Sequence, residues 1–304
     1  MKIQYDVVII GRGIAGYAAA IYCGRLGLKS IIIGNEPGGT LVNASLVENY
    51  PGFSKISGKG LIKKVTDHSK DYNTEILEGL VEKISKVKDV FEVYTKKKKI
   101  ISKTIIFCTG SQWKKLNVPG EKEFTNKGVH YCALCDGFFY KKKTVAVIGG
   151  GDSAVKEALL LSKYAKKVYI ISRSKLNPEP INLNRVKSEK KIEIIEGTSV
   201  KEIKGNEFVE SLVLSDSRLL KLEGVFVEVG REPLSTLAIK LGVKINKDKE
   251  IITNKEAKTN VKGIYAAGDV TDIKIKQAIT GVGEAVKSVY SAYSDLNDKE
   301  TLSY

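Results

Sequence analysis

Tyr5-Asp6-Val7-Val8-Ile9-Ile10-Gly11-Arg12-Gly13-Ile14-Ala15-Gly16 is the stretch on which the fold class turns. Its first six residues are largely apolar, the pattern of a strand buried on both faces of a parallel sheet. Three glycines then follow in G-x-G-x-x-G spacing. The first permits a tight turn, the second lets backbone approach a diphosphate, and the third lets a helix pack closely on the strand. A helix is expected from about Ile14 to Leu26, and its free N–H groups and dipole favour an anion at its start. Such a hexapeptide alone is weak evidence. Here the second strand, Ser30 to Ile33, completes the required order of strand, turn, helix and strand. Asn35 and Glu36 come next, near the spacing of a ribose-binding acid, with a solvated loop glutamate as the plainer role for Glu36.

The same unit recurs. Thr144 to Ile148 reads as a buried strand, Gly149-Gly150-Gly151-Asp152-Ser153-Ala154 as a glycine turn with alanine in the third place, and a helix to about Tyr164 leads into the strand Val168 to Ser172. Two complete units make the chain α/β, with two Rossmann-like, doubly wound, three-layer nucleotide-binding domains. Its 304 residues are enough for two cores.

Between the two glycine turns lies Val129-His130-Tyr131-Cys132-Ala133-Leu134-Cys135-Asp136-Gly137. A Cys-x-x-Cys closes a small disulfide ring or supplies half a zinc site. Zinc needs two further ligands, but Cys23 and Cys108 stand alone and the two histidines, His68 and His130, form no second pair, so no metal is expected. A structural disulfide does not suit a chain that reads as cytosolic. Redox chemistry fits best, with Asp136 placed as a proton donor or acceptor for the sulfurs. Cys108, in the apolar strand Thr104 to Cys108, reads as core.

Composition narrows the classes. The formal charge is +15 and the pI about 9.4, which raises nucleic acid as a partner. The excess is lysine, however, and the six arginines are Arg12, Arg25, Arg173, Arg185, Arg218 and Arg231. Arginine is the usual fork for bases and phosphates, so no nucleic-acid partner is expected. No apolar run of membrane-spanning length appears, and Met1-Lys2-Ile3-Gln4-Tyr5 leads straight into a strand, so neither a membrane segment nor a signal peptide is expected. The compartment is read as cytoplasmic.

The remaining motifs are Gly38-Gly39-Thr40-Leu41 and Val47-Glu48-Asn49-Tyr50-Pro51-Gly52-Phe53, both too irregular for helix. A helix is expected at Leu61 to Tyr72, then hairpins to about Ile101, Thr109-Gly110, strands over about 192–229, Ala266-Ala267-Gly268-Asp269-Val270, and a last helix from about Ile275 to Leu296 that opens Lys276-Gln277-Ala278. In this order, with Cys-x-x-Cys-Asp in mid-chain, the sequence resembles the low-molecular-weight thioredoxin reductases over nearly its whole length.

The resemblance implies a discontinuous FAD domain, 1–113 plus 243–304, and an inserted NADPH domain, 114–242, carrying the dithiol. It implies FAD contacts from Gly11, Gly13, Ile14, Ala15, Gly16, Asn35, Glu36, Gly39, Thr40, Leu41, Asn49, Val81, Thr109, Gly110, Gly268, Asp269, Lys276, Gln277 and Ala278. Gly149, Gly151, Asp152, Ser153, Ala154, Glu157, Ser172, Arg173 and Lys175 would hold NADPH. Cys135 would face the flavin, Cys132 would attack the disulfide of thioredoxin or a thioredoxin-like protein, and Asp136 would handle the proton. The family rotates one domain against the other, and Val118-Pro119-Gly120 and Gly242 are expected near the joints. A homodimer is the family's habit.

The chain departs from the family at the donor site. The family's basic box reads Ser172-Arg173-Ser174-Lys175, with one arginine kept, and Lys156-Glu157 replaces paired glutamates. NADPH is favoured on charge, while NADH, reduced ferredoxin and a deazaflavin stay open as donors. From another class, a basic flavin-binding protein with a regulatory dithiol competes, and Asp136 beside the cysteines argues against it.

Overall fold

The computed structural model describes residues 3–35, 37–44, 47–72 and 74–297, and at Cys135 the backbone. Glu36, expected at the ribose, lies outside the described residues. The chain divides into two compact units, Met1–Gln112 with Glu232–Tyr304, and Trp113–Arg231.

In the first unit the Tyr5–Ile10 strand runs between Ser30–Gly34 and Lys99–Phe107, parallel to both. Glu75–Glu78 and Ile264–Ala266 extend the parallel part, and the hairpin of Val81–Val87 and Val90–Thr95 adds an antiparallel flank. Side chains alternate across a strand. Val7 and Ile9 therefore meet Tyr17, Ala19, Ala20 and Val289, while Val8 and Ile10 meet Phe91, Ile105 and Phe107. Val7, Val8 and Ile9 are fully buried, which is why the run carries no polar alternation. Each such side chain contributes roughly 1.5–3 kcal/mol by leaving water. Ala18, Ala19 and Ala20 keep the Ile14–Arg25 helix thin where it packs with Ala285, Val289 and Ala292 of the Ala278–Leu296 helix.

Three local readings change. Gly39–Asn43 is a short 3-10 turn within a segment read as irregular. The next helix is Gly58–Lys70, started by Ser57, whose Oγ accepts the Gly60 N–H at 3.1 Å. The last helix begins at Ala278, because Gln277 is its N-cap in a reciprocal capping box with Thr280.

The second unit has a parallel sheet in which Thr144–Ile148 lies between Lys167–Ser172 and Gly224–Val227, with Ile192–Glu196 and Val129–His130 at its edges. An antiparallel sheet of Val200–Gly205, Val209–Leu214 and Leu219–Lys221 accompanies it. The chain crosses between units at 112–113 and 231–232, not at 113–114 and 242–243. Residues 232–242 fall to the first unit because Ala238 of the Thr236–Ile239 helix packs with Val243, Phe107 and Ile264. Val118–Gly120 lies within the second unit. The Ile203 N–H donates to the Pro119 carbonyl at 3.0 Å, and Val118 packs inside the second unit. Gly242 sits within the first unit.

Candidate active site

The Cys-x-x-Cys segment begins where the Val129–His130 strand ends. Cys132 is 8% exposed and disulfide-bonded. The Ala133–Asp136 helical turn follows, and the Asp136 N–H donates to the Cys132 carbonyl at 3.2 Å. The Cys135 side chain lies outside the described residues. Cys23 and Cys108 are free and buried, and burial raises both thiols, Cys23 to about 12. Neither is poised as a nucleophile.

A carboxyl pair lies behind this turn. Glu157, on the Asp152–Leu161 helix, accepts the Ala133 N–H through Oε1 at 3.0 Å, and its Oε2 is shut from solvent. Desolvation pushes Glu157 well above the ordinary carboxylate range, with Asp136 adding and Ala133 and Arg231 opposing. Glu228 is pushed up by burial and then by the Glu157 charge, against Arg231 and Trp113. Two carboxyls so close favour sharing one proton. Glu157, expected at the pyridine nucleotide, holds the backbone of the dithiol turn through Oε1. Its helix period fits both directions, so only packing decides.

The first glycine turn fits a dinucleotide. Gly11 has φ +115°, and a Cβ there would stand 2.1 Å from the Cys108 carbonyl. Gly13 faces open space and caps the Ile14–Arg25 helix without a side chain, and no acid lies in its first turn. The first N–H groups of a helix have no partner within it, so an anion is welcome there. Most of the expected flavin residues converge on this region. Ile14, Leu41 and Ala278 share one apolar cluster. The Asn49 amide donates to Gln277 Oε1 at 2.9 Å, and the Lys276 ammonium donates to the Asp269 and Thr271 carbonyls. Gly268 packs within reach of Ala15 and Gly281, and Gly39 and Thr40 lie on the 3-10 turn whose preceding Gly38 bridges to Gly13.

Other expected residues stand differently. Thr109, with Gly110 after it, donates its hydroxyl to the Leu234 carbonyl, and Val81 packs against the core flank of the sheet. Two residues here were not anticipated as functional. Arg12 donates to the Gly34 and Asn35 carbonyls, tying the turn to the second strand. Glu284 accepts the Gly268 N–H at 2.8 Å and the Thr271 hydroxyl, which holds the Gly268–Asp269 turn. A lone glutamate on the apolar face of the last helix was the available signal.

The second turn repeats the backbone with other charges. A Cβ on Gly149 would meet the Glu228 carbonyl at 2.2 Å, while Gly151 is open and caps the Asp152–Leu161 helix. Asp152 adds a carboxylate to its first turn. That carboxylate pairs with Lys156 at 2.6 Å and accepts from Asn182 and the Glu179 N–H. The following loop is tied to the turn, since the Asn177 N–H donates to the Gly150 carbonyl. Ser153, Arg173 and Lys175 are exposed, whereas Ser172 is buried with Oγ against Gly150, and Ala154 is core. The glycine cradle fits a diphosphate.

Residues 5–285 match the family described as pyridine nucleotide-disulphide oxidoreductase. A thioredoxin reductase of Bacillus subtilis is 37% identical over 305 residues, covering 97% of this chain and 96% of that protein. The chain belongs to the thioredoxin reductase family. Among solved structures, Lactococcus lactis thioredoxin reductase superposes with a TM-score of 0.94 at 36% identity, covering 97% of this chain and all of that one. A ferredoxin-flavin thioredoxin reductase from Clostridium acetobutylicum reaches a TM-score of 0.54 at 32% identity, covering 97% of this chain and 99% of that one. As a family member the protein is a flavoprotein oxidoreductase acting on disulfides. No helix among the described residues is long and apolar enough to cross a membrane, and none of their His, Cys, Asp and Glu side chains form a metal-holding group of three.

Proposed function

We propose that the protein is an FAD-dependent thioredoxin reductase of the cytoplasm that draws electrons from NADPH. The carrying observation is a disulfide-bonded Cys132 followed by Asp136 in a chain with two separate dinucleotide cradles. FAD, when bound, supplies an electron pair to the Cys132–Cys135 disulfide, and NADPH supplies it to FAD. Everything else falls to the chain. The free N–H groups at Gly13 and Ile14 to Gly16 hold the diphosphate, and Asn49, Asp269 and Gln277 orient the rest. Once the disulfide is opened, the Cys132 thiolate attacks a sulfur of the thioredoxin disulfide and Asp136 serves as the nearby proton group. Cys135 then attacks the Cys132 sulfur, re-forming the ring and releasing reduced thioredoxin.

A second reading has another donor, reduced ferredoxin or a deazaflavin. It rests on Asp152 in the first turn of the second helix, on the thinned basic box, and on likeness to the Clostridium acetobutylicum protein named for ferredoxin. Anaerobic mixing of the flavin-loaded protein with NADPH, NADH or reduced ferredoxin separates the two. Bleaching of the flavin by NADPH, together with complete loss of thioredoxin reduction in Cys132→Ser and Cys135→Ser, is the expected result. Bleaching by ferredoxin alone transfers the proposal to the second reading. Light scattering tests the expected homodimer.

A further inference from the structure

The proposed reaction leaves one buried titratable side chain beside the dithiol without a task. His130 ends the Val129–His130 strand at 8% exposure, its ring stacked on Phe226 at 5.4 Å and set edge-on to Tyr140. Nε2 lies 2.7 Å from the Tyr140 hydroxyl. Nδ1 lies 3.1 Å from the Asp136 carboxylate. An apolar side chain would satisfy the stack on Phe226. An imidazole instead joins a phenol to the carboxylate that follows Cys135.

We propose that His130 is the proton store of the dithiol, a positioning residue that acts through the Asp136 carboxylate. The inference rests on the dithiol reading above. In the reduced protein the Cys132 thiol gives its proton to the Asp136 carboxylate, which then hands that proton on to Nδ1 of His130. The net change is thiol plus neutral imidazole to thiolate plus imidazolium, with the carboxylate restored and Nε2–H donating to Tyr140. The thiolate forms a bond to one sulfur of the substrate disulfide and breaks that disulfide, and the departing thiolate recovers the proton by the same route. No further oxidant or reductant is required.

The surroundings suit a store that is empty while the disulfide is closed. Burial lowers the proton affinity of His130, and Asp136 partly restores it, so the ring is neutral at neutral pH. Tyr140, raised to about 12 by burial with help from Asp136 and Glu223, keeps its own proton, and Lys143 lies over its ring. On the neighbouring helix Glu157 feels the Asp136 charge, with Glu228 and Arg231 behind it. A new negative charge at Cys132 then raises His130, as an opposite charge favours an imidazolium.

The test uses the full, flavin-loaded chain, whose two histidines are His68 and His130. Imidazole NMR titrations are recorded before and after stoichiometric anaerobic reduction by dithionite. His130 is expected to titrate higher by about one pH unit after reduction, with His68 unmoved, and Cys132→Ser should cancel the change. In parallel, exchange of the reduced protein with 5,5′-dithiobis(2-nitrobenzoate) is followed against pH. In His130→Phe the acid limb should move up toward the ordinary thiol value of about 8.5, with about tenfold slower exchange near neutrality. His130→Asn keeps an amide N–H but accepts no proton, so it should behave like His130→Phe. An identical His130 titration in both redox states overturns the proposal, as does wild-type exchange in His130→Asn. If Cys132→Ser still reduces thioredoxin, the dithiol reading falls and this inference falls with it.

Discussion

The two glycine turns share a backbone and differ in charge. Gly11 and Gly149 are locked by the same geometry, each with positive φ and a carbonyl where a Cβ would stand. Gly13 and Gly151 both cap a helix and face open space. At the variable places the first turn has Arg12 and Ile14, and the second has Gly150 and Asp152. The first is tied to its following loop by a guanidinium, the second by a carboxylate. Glycine spacing therefore builds a diphosphate cradle, but side chains between the glycines set the potential a ligand meets there.

The strongest way to break the comparison is at the shared geometry. Gly11→Ala should cost on the order of 3–5 kcal/mol and leave the protein without flavin, since neither the carbonyl of Cys108 nor the positive φ yields to a methyl group. Gly13→Ala should change stability by less than about 1 kcal/mol. Visible absorbance per chain and thermal midpoints read both. Gly149→Ala should keep flavin bound and unfold the second unit alone.

Charge sharpens the contrast at smaller scale. Arg173→Ala should erase about tenfold of any NADPH preference over NADH, the worth of one charge-assisted contact, and Ser174→Arg should increase the preference. Asp152→Asn keeps an acceptor for the Glu179 N–H while removing the carboxylate near the second cradle. The NADPH concentration for half-maximal flavin reduction should fall by about threefold, a fraction of a kcal/mol at a screened site. An unchanged value would detach Asp152 from donor binding.

The smallest effect is on pH-dependent stability. Glu157 and Glu228 hold their proton in the folded protein above the ordinary carboxylate value. The unfolded chain releases it first, so their contribution is full below about pH 4.5 and is lost as pH rises toward and through neutrality. Glu228→Gln should therefore stabilise the protein by on the order of 1 kcal/mol near pH 8 and leave it unchanged near pH 4. Denaturant midpoints at the two pH values check this.

The two cradles and the dithiol between them are legible from the residues alone, because each is a local matter. Continuous apolar runs at Tyr5 to Ile10 and Thr144 to Ile148, glycine sterics at the turn, and two cysteines one helical turn apart all act within about ten residues. What tertiary structure decided depends on residues distant in the chain. Ala133 meets Glu157 across 24 positions and Gly268 meets Glu284 across 16, and no spacing rule records either contact. Glu157 sits on a helix face that suits nucleotide or core equally, and burial beneath the Cys132 turn chose the core side. The boundary at Glu232 follows from Ala238 packing beside Val243 and Phe107, a contact of side chains rather than a signal in composition. His130 reads in sequence only as a lone histidine that completes no metal site, and Tyr140, Phe226 and Asp136 reach it through a strand pairing and a turn that only the folded chain brings together.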